Sequence, residues 1–252
     1  IGLKLQNKGE FEIPPNKVIA SLSGINSEAF SLSSLNARLS IPLEGKIKSG
    51  DQIIESSPEE IQFDEANYKH DLNADFPTSL RVDVCYEYKT KAITRVCLKK
   101  KAVEKILEDK CSVLSDSVAT ETSSAPLQIK EVKQRSSAAQ EVKLTFKIVN
   151  QGKGDVYPPT AFSDKCTEIT SDKNKLFVEV TSPSAKVNIR CSQMQDSSKG
   201  IIKLALNEKT ISCSIPTSDL QETAFEEPVS IVLSYFYKGS IEKQITVLNS
   251  EQ

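Results

Sequence analysis

The chain has 252 residues, room for one large domain or for two of about 100–150 residues each. Hydrophobic residues make up 38%, with one Met and no Trp, a lean composition that suits thin two-sheet cores better than a large enzyme body. Thirty-two basic residues stand against 34 acidic ones, so there is no concentrated positive field of the kind that nucleic-acid binding needs.

From the start, Ile1–Leu5 alternates into Asn7-Lys8-Gly9, and Glu10–Ile13 then leads to Pro14-Pro15. Asn and Gly tolerate positive φ and close turns with side-chain hydrogen bonds, so N-x-G predicts a bend between two strands. A proline pair cannot join a ladder and marks an edge or a crossover. Short period-two runs bounded by Ser, Asn, Asp, Gly or Pro predict strands at Lys17–Leu22, Ala37–Ile41, Gln52–Glu55 and Glu60–Phe63. Ser79–Lys99, S-L-R-V-D-V-C-Y-E-Y-K-T-K-A-I-T-R-V-C-L-K, reads as two strands and a turn. Lys99-Lys100-Lys101 reads as a solvated face, and Lys99–Asp109 fits either a helix, with Val103, Ile106 and Leu107 on one side, or a loop. Ser112–Pro126 is rich in small polar residues and ends in proline, which is linker composition.

The second half repeats the pattern. A strand candidate at Leu127–Val132 precedes Val142–Val149, which alternates into Asn150-Gln151-Gly152; Val156 then leads to Pro158-Pro159. Further strands are predicted at Leu176–Val180, Ala185–Cys191, Gly200–Leu206 and Thr210–Ile215. Pro228–Leu248 echoes the earlier hairpin without a gap: Leu80, Val82, Val84, Tyr86 and Tyr88 fall on Val229, Ile231, Leu233, Tyr235 and Tyr237, and Phe76 falls on Phe225. The chain is therefore read as a duplication, with domains at 1–113 and 127–252 and a linker at 114–126. Many short strands at regular spacing point to a sandwich or barrel. The first copy opens directly in its N-x-G strand, whereas the second has a strand ahead of it. The expectation is that the first domain lacks its opening strand, as in a fragment of a longer chain or a module whose neighbour supplies the strand. Ile1, Leu3 and Leu5 are then candidate interface residues. Pairing of Ile1–Gly9 with the chain's own residues would remove strand exchange there.

None of the six cysteines forms C-x-x-C, and His70 is the only histidine, so a zinc site is not indicated. Disulfides in an oxidising compartment fit the count better than buried thiols in a cytosolic protein. Pairing Cys85 with Cys97 across the hairpin sets Tyr86 opposite Val96 and Glu87 opposite Arg95. In the echo both cysteines are replaced, by Ser234 and Thr246. Cys191 and Cys213 each lie on or beside a strand of the second domain and could link within it; Cys111 and Cys166 would then staple the domains. Four cysteines allow three connectivities, and free or intermolecular cysteines stay open.

Catalytic patterns are missing. His70 sits in the polar stretch Tyr68-Lys69-His70-Asp71, and no nucleophile elbow, metalloprotease helix or phosphate loop occurs. Asp71, Asn73 and Asp75 have calcium-loop spacing, but Phe76 and Val82 stand where the Gly and Glu belong. No catalytic, cofactor-binding or metal-binding residue is nominated, and no cofactor is expected. Of Tyr86, Tyr88, Tyr235, Phe236 and Tyr237, alternation puts four on a core face and leaves Phe236 as a candidate exposed contact. No stretch approaches the ~18 apolar residues of a membrane span.

A strand ending in N-x-G, a proline-marked crossover and a closing Y-x-Y hairpin together resemble the immunoglobulin-like modules of archaeal cell-surface proteins, of the CARDB-like and S-layer-associated class. Leu5-Gln6-Asn7-Lys8-Gly9 and Ile148-Val149-Asn150-Gln151-Gly152 carry one part of the resemblance. Cys85-Tyr86-Glu87-Tyr88-Lys89-Thr90 with Val96-Cys97-Leu98 carries the other. The resemblance implies an all-β chain of two tandem immunoglobulin-like β-sandwich domains. It also implies a non-enzymatic structural, adhesive or assembly role at the cell surface or outside the cell, with protein partners that include copies of itself. The alternatives are a module binding carbohydrate or a host-cell receptor, and an accessory domain of a larger secreted enzyme.

Overall fold

The structure is a computed structural model that describes residues 1–50, 52–100, 110–112, 117–137, 140–162, 165–166, 170–184, 187–195, 197–221 and 223–249. The chain is all-β, built from several antiparallel sheets. Its strands are β1 (Gly2–Leu5), β2 (Val18–Ser23), β3 (Asn36–Arg38), β4 (Ile47–Ser49), β5 (Gln52–Ile54), β6 (Glu59–Gln62), β7 (Phe76–Leu98) and β8 (Thr120–Thr122). There follow β9 (Leu127–Ser137), β10 (Glu141–Asn150), β11 (Asp155–Tyr157), β12 (Lys175–Thr181), β13 (Arg190–Cys191), β14 (Lys199–Lys203), β15 (Glu208–Pro216) and β16 (Phe225–Val247). Most of the helix candidate, residues 101–109, lies outside the described residues.

The two repeat segments do not fold as hairpins. Each forms one continuous strand of 23 residues, β7 and β16, and the two strands are neighbours in one sheet. Asp83 meets Lys238, Tyr86 meets Tyr237 and Thr90 meets Tyr235. The numbers rise along β7 as they fall along β16, so the strands are antiparallel. In β7 the turn chemistry is missing, since Thr90-Lys91-Ala92 offers no Gly, Pro, Asn or Asp to reverse the chain, whereas β16 runs on even through Gly239. The tertiary reason is that β7 has strands to pair with along its length: residues 81–86 pair with β2, and Ala92–Thr94 pair with β8. The cross-turn partners expected from a hairpin are therefore replaced. Glu87 pairs with Lys17 at 3.1 Å, and Arg95 lies 3.7 Å from Glu226.

The chain divides into two compact units, Ile1–Tyr88 with Lys153–Lys173 and Phe236–Gln252, and Lys89–Gly152 with Asn174–Tyr235. This differs from the sequential division at 114–126, because β7 and β16 each contribute to both units. Nor is 114–126 a bare linker. It carries β8, the Ala119 carbonyl accepts from the Thr94 hydroxyl at 3.0 Å, and the Ser123 N–H donates to the Lys91 carbonyl at 2.8 Å. Its small hydroxylated residues serve here as edge partners for a strand. Lys99, expected on a solvated face, is buried at 2% exposure.

In the first unit, β2 pairs with β3 on one side and with β7 on the other. Val18, Ala20 and Leu22 are buried on one face of β2 and Ile19 on the opposite face, so both faces of this sheet are covered. β1 pairs antiparallel with β6, Leu3 opposite Ile61, and β4 with β5, Ile47 opposite Ile54. In the second unit the order β13-β15-β10-β9 makes one sheet, while β12 lies between β14 and the first half of β16. Period-two burial is complete here. Val142, Leu144, Phe146 and Ile148 of β10, Leu176, Val178 and Val180 of β12, and Val229, Ile231, Leu233 and Tyr235 of β16 are all at 0% exposure.

Both N-x-G motifs close the same turn. The Gly9 N–H donates to Asn7 Oδ1 at 3.0 Å, and the Gly152 N–H donates to Asn150 Oδ1 at 3.1 Å. Each Asn side chain thus stands in for a backbone carbonyl and bends the chain after β1 or β10.

Candidate functional site

All six cysteines are bonded: Cys85 to Cys166, Cys97 to Cys111, and Cys191 to Cys213. Cys191 and Cys213 face each other in the register of β13 and β15. The Cys85–Cys97 bridge expected from a hairpin is excluded by the continuous β7, which carries its two ends apart. Cys85 instead reaches the segment after β11, across 81 residues of sequence. Cys166 is held further by its own N–H, which donates to the Ser21 hydroxyl at 3.3 Å. Cys97 closes a short loop of 14 residues with Cys111, next to Ala224. The Cys111–Cys166 staple therefore does not form.

The Cys85–Cys166 bridge explains why Phe236 is not an exposed contact. Alternation correctly turns Phe236 away from Tyr235 and Tyr237, but the face it enters is covered. Phe236 is 2% exposed, in a cluster with Ile19, Cys85, Tyr157, Phe162 and Cys166. The Phe162 ring stands edge-on to Phe236 at 5.5 Å and to Tyr157 at 4.9 Å. The approach of β11 to β16 also needs Gly154: its N–H donates to the Tyr237 hydroxyl at 2.7 Å, and a Cβ there would run into the Lys238 carbonyl.

The tyrosines form packing contacts. Tyr86 lies 5.8 Å from Tyr88 and 5.7 Å from Tyr237, ring centre to ring centre. The Tyr88 hydroxyl donates to Asn7 Oδ1 at 3.1 Å, tying this wall to the first N-x-G turn. Burial pushes the Tyr88 phenol up to about 12, against the opposing effect of hydrogen bonding to Phe11 and Asn7. Burial also raises Tyr86, with Tyr237 and Tyr88 adding to the effect. Asp64 is held below the usual carboxylate range, chiefly by the Ser33 hydroxyl and then by the Ser33 N–H. The contact clasps the loop at Ser33 to the segment after β6.

His70 is exposed and packs edge-on to Tyr68 at 5.6 Å. Among the described residues no three His, Cys, Asp or Glu side chains converge as metal ligands, and no helix is long and apolar enough to cross a membrane. A shallow depression of about 280 Å³ is lined by Pro77, Thr78, Ser79, Gln244, Ile245 and Thr246 and holds no titratable group.

Two contact features stand out. One is the β4–β5 hairpin, where Ile47, Ile53 and Ile54 are 62%, 57% and 55% exposed. Sequence reading missed it, although three isoleucines in a short hairpin were a visible signal. The other is β1. Ile1, Leu3 and Leu5 are half-buried on one face, and Gly2 and Lys4 are exposed on the other. The strand does have an in-chain partner, since β6 pairs along all four residues. That pairing with the chain's own residues removes the strand exchange expected at Ile1–Gly9. Glu60 was also missed. Its carboxylate occupies the place where a Cβ on Gly2 would stand.

No family model matches the chain, and no curated protein or solved structure is similar to it.

Proposed function

We propose that this chain is a non-enzymatic structural or assembly module that works outside the cytoplasm, at the cell surface or beyond it, through protein–protein contacts. Its two units are two immunoglobulin-like β-sandwiches of tandem origin, similar to those of archaeal surface-layer proteins. The observation that carries this reading is the closure of all six cysteines into three bridges within an all-β chain. Reducing compartments do not maintain such bridges, and secreted and surface proteins use them for permanence. A repeated strand motif joined through two long strands suits a load-bearing or packing role, because hydrogen-bonded ladders resist separation. The carbohydrate-binding alternative loses its one aromatic candidate, since Phe236 is buried.

The test is surface accessibility in the native cell, combined with thiol status. Antibody against the chain should label intact cells or the extracellular fraction, and material alkylated during lysis should show no free thiol. Labelling only after lysis, or six free thiols, would reject the reading.

A further inference from the structure

We propose that the outward face of the β13-β15-β10-β9 sheet is a self-association surface that takes the acidic first unit of a second copy of the chain. The proposal rests on the assembly reading above and names the partner and the two surfaces.

The chain's net charge of −2 conceals a division. The first unit carries 13 basic and 20 acidic residues, net −7, and the second carries 19 and 14, net +5.

In the second unit strand periodicity gathers part of the excess on one surface. Val142, Leu144, Phe146 and Ile148 point into the core at 0% exposure, so Lys143, Thr145 and Lys147 stand on the opposite face of β10. The register sets their neighbours. Arg190, Ser214, Lys143 and Arg135 form one row across the four strands. Thr145 and Lys133 follow on β10 and β9, and then Lys147 and Lys130. Six cations thus share a flat surface whose strands are about 4.8 Å apart.

Two of these placements work against the fold. Lys143 lies directly opposite Arg135, and Lys147 directly opposite Lys130. Like charges facing each other across an antiparallel pair are destabilising. Glu141 offsets part of the charge, 3.6 Å from Lys143, as do Glu208 and Glu131, 2.7 Å and 3.8 Å from Lys147. Three carboxylates against six cations leave the face net positive. A pairing rule broken twice on one solvent face, over a core packed throughout, is the mark of a surface kept for binding.

The first unit supplies the complement. Between Glu55 and Asp75 the chain carries seven carboxylates and one lysine. Asp64 is held in the Ser33 clasp, but Glu65 and Asp71 are exposed in the irregular stretch after β6. Opposite charges on two copies attract over a Debye length of about 10 Å at 0.1 M salt. The two surfaces differ, so the contact is heterologous. Each bound copy keeps one surface open to a further copy, which builds rings or open chains.

The experiment is sedimentation velocity of the full oxidised chain. The wild type should form dimers and larger species at about 20 mM salt and be monomeric at about 500 mM, where the Debye length falls to about 4 Å. Lys130→Gln with Lys133→Gln weakens the basic surface, and Glu65→Gln with Asp71→Asn weakens the acidic one. Each pair of changes should raise the Kd about tenfold. The lysine variant also relieves the like-charge pair at Lys147, so it should melt no lower than the wild type, which separates lost binding from lost folding. Mixed at a concentration where each alone is monomeric, the two variants should form one-to-one dimers, because each keeps the surface the other lacks. A wild type that stays monomeric at low salt, variants that assemble like the wild type, or a mixture that stays monomeric would each overturn the proposal. So would retention of a monomeric wild type on immobilised heparin, which would assign the face to a free polyanion. Surface labelling of cells together with a monomeric chain would overturn self-association and leave the assembly reading standing.

Discussion

Removing the Cys85–Cys166 bridge, by Cys85→Ala with Cys166→Ala, tests the disulfide frame and the buried position of Phe236 together. The bridge spans 81 residues, and loop-closure entropy for that length amounts to about 4.5 kcal/mol at 25 °C. The hairpin alternative, Cys85–Cys97, would close only a short loop, worth about 2.8 kcal/mol by the same relation. Urea unfolding followed by tyrosine fluorescence should therefore show the variant destabilised by about 4 kcal/mol, a figure of the size measured for native bridges of small secreted domains. Thiol titration of the denatured variant separates the two pairings without any energy scale. With Cys97–Cys111 and Cys191–Cys213 intact, no thiol is released. Had Cys85–Cys97 and Cys111–Cys166 been the pairs, Cys97 and Cys111 would both be free. Titration of two thiols, or a stability loss under about 1 kcal/mol, would refute the reasoning.

Other substitutions probe the remaining features. Phe236→Ala should cost about 3–5 kcal/mol in the same unfolding assay, as for a core aromatic; an exposed residue would change stability by about 0.5 kcal/mol or less. Asn7→Ala deprives both the Gly9 N–H and the buried Tyr88 hydroxyl of their acceptor and should cost about 1–3 kcal/mol. Gly154→Ala sets a methyl against the Lys238 carbonyl and should cost about 1–3 kcal/mol, with weaker hydrogen-exchange protection along β11. For pH, Tyr88 binds its proton more tightly folded than unfolded, so its contribution is fully present below pH 10.0 and is lost as pH rises toward about 12. A titration at 295 nm should show Tyr88 ionising late, and thermal unfolding should show the melting temperature falling across that window.

Sequence alone determined the features that rest on local chemistry. Period-two alternation marked strands overlapping β1, β2, β3, β5, β6, β9, β10, β12, β13, β14 and β15. The N-x-G turns were legible because Asn7 and Asn150 bond to a backbone N–H two residues away. The gapless match of Phe76 onto Phe225 marked the repeat, but the hairpins read from it are two unbroken strands of 23 residues, β7 and β16. Tertiary structure decided everything that depends on a distant partner. Whether Ser79–Lys99 turns back or runs on depended on β2 and β8 being there to pair with it. Alternation told which side chains share a face with Phe236, but only the segment pinned at Cys166 decided that the face is covered. Cysteine counting predicted bridges and could not assign them, since bridging requires Cα atoms within about 7 Å and Cys85 meets Cys166 only through the fold. Nor could it place the Glu60 carboxylate over Gly2, a neighbour that β1 acquires by pairing with β6.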